Sequence, residues 1–277
     1  MKSGCVVLAT HRASKVQYAL KRIYISGVIP TNRWYQQLQA RQEWGTINSI
    51  VTLHDFFSSG DEIYLVLEYM DWGSLDSLLK QQKSPDATRM EEGVVSIIIG
   101  SILHALDFLH STPNLGQGRI HRAINPTNIV LSRCGAVKLC DFGFGPSPAR
   151  SHAITPEDAK NMTYMSPERV LGESYTSNAD LWSLGIIAVE CALCRHPYED
   201  IVDFDFIDRI QDSPAPDLTG SGLSDDLTSF IHRCLVKDQA SRASAQELLQ
   251  HPFITQHAYK GFGVVADWLA RTAPPPR

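Results

Sequence analysis

The spacing of hydrophobic residues divides the chain into two parts. Residues 1–70 contain short apolar runs typical of β-strands, at positions 6–8, 18–20 and 63–67. The string Ser58-Ser59-Gly60-Asp61 predicts a hairpin turn in this region. One helix is expected among the strands, around residues 33–43.

From about Leu75 onward, apolar residues recur every three or four positions, which predicts helices. Residues 94–109 present one apolar face, whereas residues 181–193 are apolar nearly all round and predict a fully buried helix. Ser244 and Glu247 form a capping-box pattern for a short helix over residues 244–250. Strands followed by helices predict an α+β fold with two lobes.

The same pattern predicts a β-rich N-lobe at residues 1–70, a larger, mostly helical C-lobe at 71–256 and a C-terminal extension at 257–277. A chain of 277 residues is long enough for about two domains of roughly 150 residues each. The run Pro274-Pro275-Pro276 cannot continue a helix, so we expect the extension to end in a proline-rich tail.

The composition excludes several classes of protein. Apolar residues make up 43% and charged residues 20% of the chain, which excludes a disordered or coiled-coil protein. The 25 basic and 30 acidic residues give a net charge of −5, which argues against a nucleic-acid partner bound by bulk charge. Residues 1–15 lack the apolar core and cleavage site of a signal peptide. Residues 94–109 carry His104 and Asp107 and are judged too short and too polar to span a bilayer. We therefore expect a cytoplasmic protein without a membrane partner.

Six cysteines are too few for a disulfide scaffold in a chain of this length. Cys191 and Cys194 form a CxxC motif, but no second pair stands at zinc-ligand spacing. We interpret these two residues as reduced thiols packed inside a helix.

Several short motifs occur in a characteristic order. Asp141-Phe142-Gly143 follows a β-type run at 137–140, and Asn128 lies thirteen residues upstream in the string 121–128. Ser166-Pro167-Glu168 and the string 180–185 come later. With these motifs the sequence resembles a eukaryotic protein kinase over about residues 4–256, and residues 68–75 and 164–169 are most similar to the MAP kinase kinase group. The resemblance implies the two-lobed protein-kinase fold and a role in phosphorylation signalling.

The resemblance also implies a site for ATP and Mg²⁺. Phosphoryl transfer requires that the phosphates and the metal are held in line and that their charge is neutralised. Lys21 matches the lysine that pairs with the α- and β-phosphates, and Asn128 and Asp141 match the two Mg²⁺ ligands, which supply the oxygen donors that this cation prefers. Taken alone, Lys21 could equally be a solvated strand lysine and Asn128 a turn asparagine. The implied adenine site comprises the side chains of Val6, Ala19 and Val130, the hinge backbone of Glu68 and Met70, and the gatekeeper Leu67.

Other matching residues have structural roles in the family. His121 and Phe142 would belong to the internal hydrophobic spine. Glu168 and Arg242 would form a buried ion pair that anchors the activation segment, and Asp180 would bind the backbone of the catalytic loop.

The family pattern fails at the centre of the catalytic loop. The catalytic aspartate, which accepts the proton of the substrate hydroxyl, is replaced by Ala123, and general-base help of this kind is worth about 10²- to 10⁴-fold in rate. The loop lysine is replaced by Asn125. Asn161 takes the place of the threonine that normally bonds to both, and Lys160 that of the glycine before it.

The helix-C glutamate is also missing, because its position falls at Leu38. Glu43 is the nearest acidic residue and lies on another face of the helix. We therefore expect Lys21 to lack its usual partner. Of the glycine-rich loop only Gly4-Cys5-Val6 is present.

Ser151 and Thr155 lie ten and fourteen residues after Asp141, at the spacing that upstream kinases phosphorylate in MAP kinase kinases. Arg122 could pair with such a phosphate. Alternatively, Ser151 and Thr155 are ordinary loop residues.

Three functions remain open. The first is a pseudokinase that binds ATP and regulates other kinases of a MAP kinase cascade by contact. The second is an active Ser/Thr or dual-specificity kinase of the MAP kinase kinase type with a non-standard site. The third is a scaffold that binds no nucleotide.

Overall fold

The computed structural model describes residues 5–24, 38–39, 42, 47–83, 89–111, 120–141, 161–199, 205–212 and 214–272. Several predicted positions lie outside these residues: Gly4, Glu43, Phe142, Ser151, Thr155 and Lys160.

The N-lobe contains a four-stranded antiparallel sheet in the order β1-β2-β4-β3. Its strands are β1 (Val6–Thr10), β2 (Gln17–Tyr24), β3 (Leu53–Ser59) and β4 (Glu62–Glu68). Gly60 has a φ of 58° between β3 and β4, which confirms the predicted hairpin turn. Alternate residues of β4 are buried, as expected for a sheet with one face against a core.

A separate apolar cluster lies under this sheet. Leu38 is fully buried in it, and Leu38, Gln39 and Gln42 are helical, in agreement with the helix predicted over residues 33–43. The buried members of the cluster are Ile23, Leu38, Val51, Leu53, Ile63, Leu65, Leu67 and Met70.

A small antiparallel sheet connects the lobes. It consists of β5 (Gly73–Ser74), β6 (Ile129–Leu131) and β7 (Val137–Leu139). Leu139 of β7 also binds the segment before β3, because its amide donates to Ser49 O at 2.8 Å and its carbonyl accepts from Val51 N at 3.0 Å. The strand that leads to Asp141 is thereby fixed to both lobes.

The C-lobe is helical. Its helices are α1 (Leu75–Gln82), α2 (Glu92–Ser111), α3 (Pro167–Val170), α4 (Asn178–Leu193), α5 (Asp205–Asp212), α6 (Asp225–Cys234), α7 (Ala245–Leu249), α8 (Pro252–Thr255) and α9 (Gly263–Thr272). The capping box of α7 is present, since the side chains of Ser244 and Glu247 bond reciprocally to backbone amides.

Two helices form the centre of the C-lobe core. Every residue of α4 from 179 to 192 is buried, which confirms the predicted fully buried helix. The prediction that Cys194 is packed inside a helix is wrong, because α4 ends at Leu193 and Cys194 adopts a left-handed conformation at the C-cap of α4. Within the described residues, α2 is long and apolar enough to cross a membrane by length and composition alone, contrary to the sequence-based judgement. However, 78% of its most apolar window is buried inside the protein, as in the core helix of a globular fold.

Helix α9 is an element that the sequence analysis did not predict. Val265 and Trp268 are fully buried and Leu269 is nearly so, all three in the C-lobe core. The turn between β6 and β7 lies against this helix, because an added Cβ at Gly135 would come 2.0 Å from Phe262 O. The C-terminal extension is therefore packed on the C-lobe as far as Thr272.

Candidate functional site

Lys21 lies on the cleft side of the N-lobe sheet, in register with Val6 of β1 and Leu65 of β4. Its Nζ forms an ion pair with Asp141 Oδ1, and the two side chains are 13% and 35% exposed. Leu38, at the position where the family has its helix-C glutamate, is fully buried. Lys21 nevertheless has an acidic partner, Asp141, which the sequence analysis did not anticipate.

Asp141 has a φ of 58°, in the left-handed region that residues with a Cβ seldom adopt. It directly follows Cys140, whose amide donates to Asn128 O at 2.9 Å. This link places the two predicted Mg²⁺ ligands next to each other along neighbouring backbone segments.

The catalytic loop closes around the carbonyl of Ala123. Asn128 Nδ2 donates to Ala123 O at 2.8 Å and Asn125 Nδ2 donates to it at 3.2 Å. With Nδ2 engaged, the Asn128 amide presents its Oδ1 as a ligand, which fits a hard cation such as Mg²⁺. The Asp141 carboxylate is of the same ligand class. The residues present therefore fit the predicted metal, even though Ala123 itself offers only a methyl group.

Asn125 is used locally and does not replace the missing lysine. It is only 2% exposed, and its Oδ1 accepts from Thr127 N at 2.9 Å and Thr127 Oγ1 at 2.5 Å. These bonds cap the short 3₁₀ helix Pro126–Asn128. Positions 123 and 125 therefore supply neither a proton acceptor nor a positive charge.

Asp180 holds the start of the catalytic loop, as predicted. Its carboxylate accepts from His121 N and Arg122 N, both at 2.8 Å, and from His110 Nε2 at 2.9 Å. Burial alone would raise the pKa of Asp180, but the hydrogen bond and charge of His110 outweigh it and hold the pKa below its ordinary value. The carboxylate is therefore ionised and the loop backbone is fixed.

The predicted ion pair between Glu168 and Arg242 is confirmed. Nη1 and Nη2 of Arg242 donate to Glu168 Oε1 and Oε2 at 2.7 and 3.0 Å, and the side chains are 0% and 5% exposed for Arg242 and Glu168. Arg242 also donates to the carbonyls of Val236, Asn178 and Lys237. This pair fixes the start of α3 to the segment before α7.

The predicted adenine side chains lie around the edge of the N-lobe cluster. Ala19 and Val130 are partly buried and pack against the cluster that contains Leu67 and Met70, whereas Val6 is 54% exposed on β1. In the hinge the Glu68 amide donates to Thr52 O at 2.9 Å, and the Met70 carbonyl accepts from Gly73 N at 3.3 Å. Four of the predicted positions are thus brought together, and their contact with ATP stays a prediction.

Comparison with known proteins identifies the family. A family model described as the protein kinase domain matches residues 2–254. Mitogen-activated protein kinase kinase 2 of Arabidopsis thaliana is 33% identical over 280 residues, covering 98% of this chain and 74% of that protein. Mitogen-activated protein kinase kinase SIPKK of Nicotiana tabacum is 33% identical over 263 residues, covering 92% and 71% respectively.

The chain belongs to the protein kinase family and is of the MAP kinase kinase type. The two-lobed fold expected from the resemblance is confirmed as well. A third relative, mitogen-activated protein kinase kinase 3 of Arabidopsis thaliana, is 34% identical over 258 residues, which is 92% of this kinase chain and 48% of that protein.

Two further features of the kinase site escaped the sequence analysis. Glu68 of the hinge pairs with Lys138 of β7 at 2.8 Å, and this contact, together with a bond from Thr52 N, outweighs the effect of burial and keeps the pKa of Glu68 below its ordinary value. Residues 70 positions apart follow no spacing rule, so no local signal could have found this pair.

The second feature surrounds Arg122, the predicted phosphate-binding residue. Its guanidinium lies 5.9 Å from the centre of the Tyr175 ring, and that of Arg169 lies 5.5 Å from the same ring. Arg169 Nη1 also donates to Arg122 O at 2.8 Å. Two cations thus share one aromatic ring next to the catalytic loop. Whether phosphates on Ser151 or Thr155 reach Arg122 stays a prediction, because those residues lie outside the described part of the chain.

Proposed function

We propose that this MAP kinase kinase-type domain is a pseudokinase, which binds ATP with Mg²⁺ and regulates other kinases of a MAP kinase cascade by contact. The observation that carries the proposal is the state of the catalytic loop. Ala123 stands in the position of the base, and the buried Asn125 uses its amide to cap its own loop. The residues expected to bind the nucleotide and the metal are retained around positions 123 and 125.

The retained residues have defined tasks. Lys21 would contact the phosphates, and Asn128 and Asp141 would hold Mg²⁺, which neutralises phosphate charge when it is bound. Ala19, Val130 and Leu67 would enclose the adenine. The ion pair between Lys21 and Asp141 supports this arrangement, because it brings the phosphate-binding lysine and one of the two Mg²⁺-binding residues together at one point.

A working kinase is the second candidate function, and the retention of Lys21, Asn128 and Asp141 favours it. The transition state of phosphoryl transfer is loose and largely dissociative, so positioning and charge neutralisation contribute more than proton abstraction. Against this candidate, the substitutions at positions 123, 125 and 161 remove one interacting group of side chains together.

ATP with Mg²⁺ should stabilise the purified chain against thermal unfolding. At a hundred times the dissociation constant the expected gain is about 2.7 kcal/mol, because the nucleotide binds only the folded state. Differential scanning fluorimetry should show a rise in Tm that is lost in Lys21→Met and kept in Lys15→Met, a change of the same kind in the exposed β1–β2 turn. An unchanged Tm at saturating nucleotide would favour the nucleotide-free scaffold.

Transfer of labelled phosphate from ATP to a MAP kinase acceptor should be absent. We expect Ala123→Asp alone to restore little of it, because Asn125 still caps its loop and Leu38 still occupies the glutamate position. General-base help of about 10²- to 10⁴-fold is realised only when the transferred phosphate is also neutralised. The measurement is a radiolabelled transfer assay with wild type, Ala123→Asp and the double variant Ala123→Asp/Asn125→Lys. Transfer by the wild type that disappears in Asp141→Asn would establish the working kinase, and full activity of Ala123→Asp would show that the other losses matter little.

A further inference from the structure

Seven consecutive residues around the turn between β1 and β2 are exposed, from His11 to Gln17. The turn is closed by backbone hydrogen bonds from His11 N to Val16 O and from Lys15 N to His11 O, both at 2.9 Å. Exposed hydrogen bonds of a surface turn open locally at little cost in free energy. The segment can therefore adopt the extended form in which an enzyme binds a peptide.

This turn contains the tripeptide Arg12-Ala13-Ser14. Ser14 Oγ lies 2.8 Å from His11 Nδ1, and Ser14 N donates to the same nitrogen at 3.3 Å. Because it accepts from the amide, Nδ1 carries no proton and also accepts from the hydroxyl. The hydroxyl of Ser14 thus lies at the surface of the protein, and its partner is an exposed side chain of the same turn.

The surroundings of Ser14 are positively charged. The first 42 residues of the chain contain no acidic residue and seven basic residues, Lys2, Arg12, Lys15, Lys21, Arg22, Arg33 and Arg41. The side chains of Arg12 and Lys15 are exposed and make no ion pair within the described residues. Across the sheet, Glu68 lies opposite Tyr18 and is engaged by Lys138 at 2.8 Å. A positive flank of this kind is complementary to an enzyme with an acidic substrate groove.

The same tripeptide occurs a second time, as Arg242-Ala243-Ser244, in a different environment. Arg242 and Ala243 are buried, and the guanidinium is bound to Glu168. Ser244 is partly buried, and its hydroxyl belongs to the capping box with Glu247. Of the two copies, the one in the β1–β2 turn therefore presents both its arginine and its serine to an enzyme.

We propose that Ser14 is a phosphorylation site for a Ser/Thr kinase that recognises an arginine before the serine. The γ-phosphoryl group of ATP passes to Ser14 Oγ, so that an O–P bond forms, the bond to ADP breaks and the hydroxyl proton goes to the base of the acting kinase. The phosphate carries about −1.5 to −2 charges and neutralises Arg12 and Lys15 beside it. The site stands independently of the proposed function, because another kinase supplies the catalysis and the turn contributes no residue to the ATP site.

The test uses the full chain carrying Asp141→Asn, so that no label can come from its own kinase site. Incubated with labelled ATP and the catalytic subunit of the cyclic-AMP-dependent protein kinase, this chain should gain label on Ser14 and none on Ser244. Mass spectrometry of chymotryptic peptides would locate the label. Ser14→Ala should remove it, and Arg12→Gln should lower kcat/KM about tenfold or more, the loss expected for one charge-assisted hydrogen bond. The matched control is Arg271→Gln, an exposed arginine of α9, and it should change nothing.

A free peptide of residues 8–18 is the reference substrate for the same kinase. Label on this peptide but not on Ser14 of the chain would overturn the site, because the folded hairpin would then hide the hydroxyl. An unlabelled peptide would overturn it as well, because the flanking residues would not be recognised. Equal labelling of Ser14 and Ser244, or equal rates with and without Arg12→Gln, would contradict the roles given to exposure and to the arginine. With Asp141 intact, Ser14→Ala should keep the Tm shift with ATP, so the failure of one proposal is distinguishable from the failure of the other.

Discussion

Glu168→Gln should lower the free energy of unfolding by about 3–5 kcal/mol, because it leaves the charge of Arg242 buried without a counter-ion. The guanidinium of Arg242 is inaccessible to water and donates two of its hydrogen bonds to Glu168. Three further hydrogen bonds go to the neutral carbonyls of Val236, Asn178 and Lys237. The guanidinium also lies 5.3 Å from the centre of the Trp182 ring, but none of these neutral groups can compensate a full charge. Urea denaturation followed by circular dichroism would measure the loss.

The matched control is Glu91→Gln. Glu91 pairs with Arg271 at 3.2 Å, but these side chains are 56% and 62% exposed. Surface pairs of this kind contribute about 0–1 kcal/mol, so Glu91→Gln should leave the midpoint nearly unchanged. Similar losses in the two variants would mean that the buried pair contributes no more than an exposed one.

Gly135→Ala should destabilise the chain by about 2–5 kcal/mol and loosen the C-terminal helix. Gly135 has a φ of 84°, where a side chain costs about 1–2 kcal/mol. The added methyl would also lie 2.0 Å from Phe262 O and 2.7 Å from Ala266 N, and overpacking adds about 1–3 kcal/mol. Both contacts are to backbone, so α9 must move away. Urea denaturation and amide hydrogen exchange of residues 263–272 would measure the two effects.

Gly220→Ala separates the conformational cost from the clash. Gly220 has a φ of 71°, but an added Cβ there meets no atom within 4 Å. This variant should lose only about 1–2 kcal/mol and leave hydrogen exchange in α9 unchanged. If Gly135→Ala behaved like Gly220→Ala, the turn between β6 and β7 would not support the C-terminal helix.

The local pattern of apolar residues predicted a helix or strand well where its buried positions follow a single regular spacing. Alternation in β4 and the continuous apolar run of α4 each report directly which faces are covered. Helix α9 was missed, although Val265, Trp268 and Leu269 stand at helical spacing. That segment is stabilised by contacts with α2 and with the turn at Gly135, both more than 120 residues away in sequence. In addition, the proline residues that follow it favoured the interpretation of the region as a tail.

The motifs made it possible to predict which residues occupy the positions of the candidate site. The substitutions at Ala123, Asn125 and Leu38 are visible in the sequence because the surrounding motifs fix the alignment. The contacts they form instead were not predictable. Asn125 turns inward to Thr127, and Lys21 pairs with Asp141, and both outcomes depend on side-chain conformations that only the packed loop determines.

The enclosure of Leu38 has a consequence for how the small lobe holds its helix. In kinases with a glutamate at this position, an ion pair between this glutamate and the β-strand lysine forms and breaks as the helix moves. Here the described part of the helix packs through Leu38 into the apolar cluster of the N-lobe, and Gln42 Nε2 donates to His54 O at 3.2 Å. Ions in solution do not screen the apolar contact of Leu38, and this contact weakens on cooling. The contact of Leu38 should therefore be insensitive to ionic strength, and a regulator that displaces Leu38 must expose apolar surface to water and not merely compete for a charge.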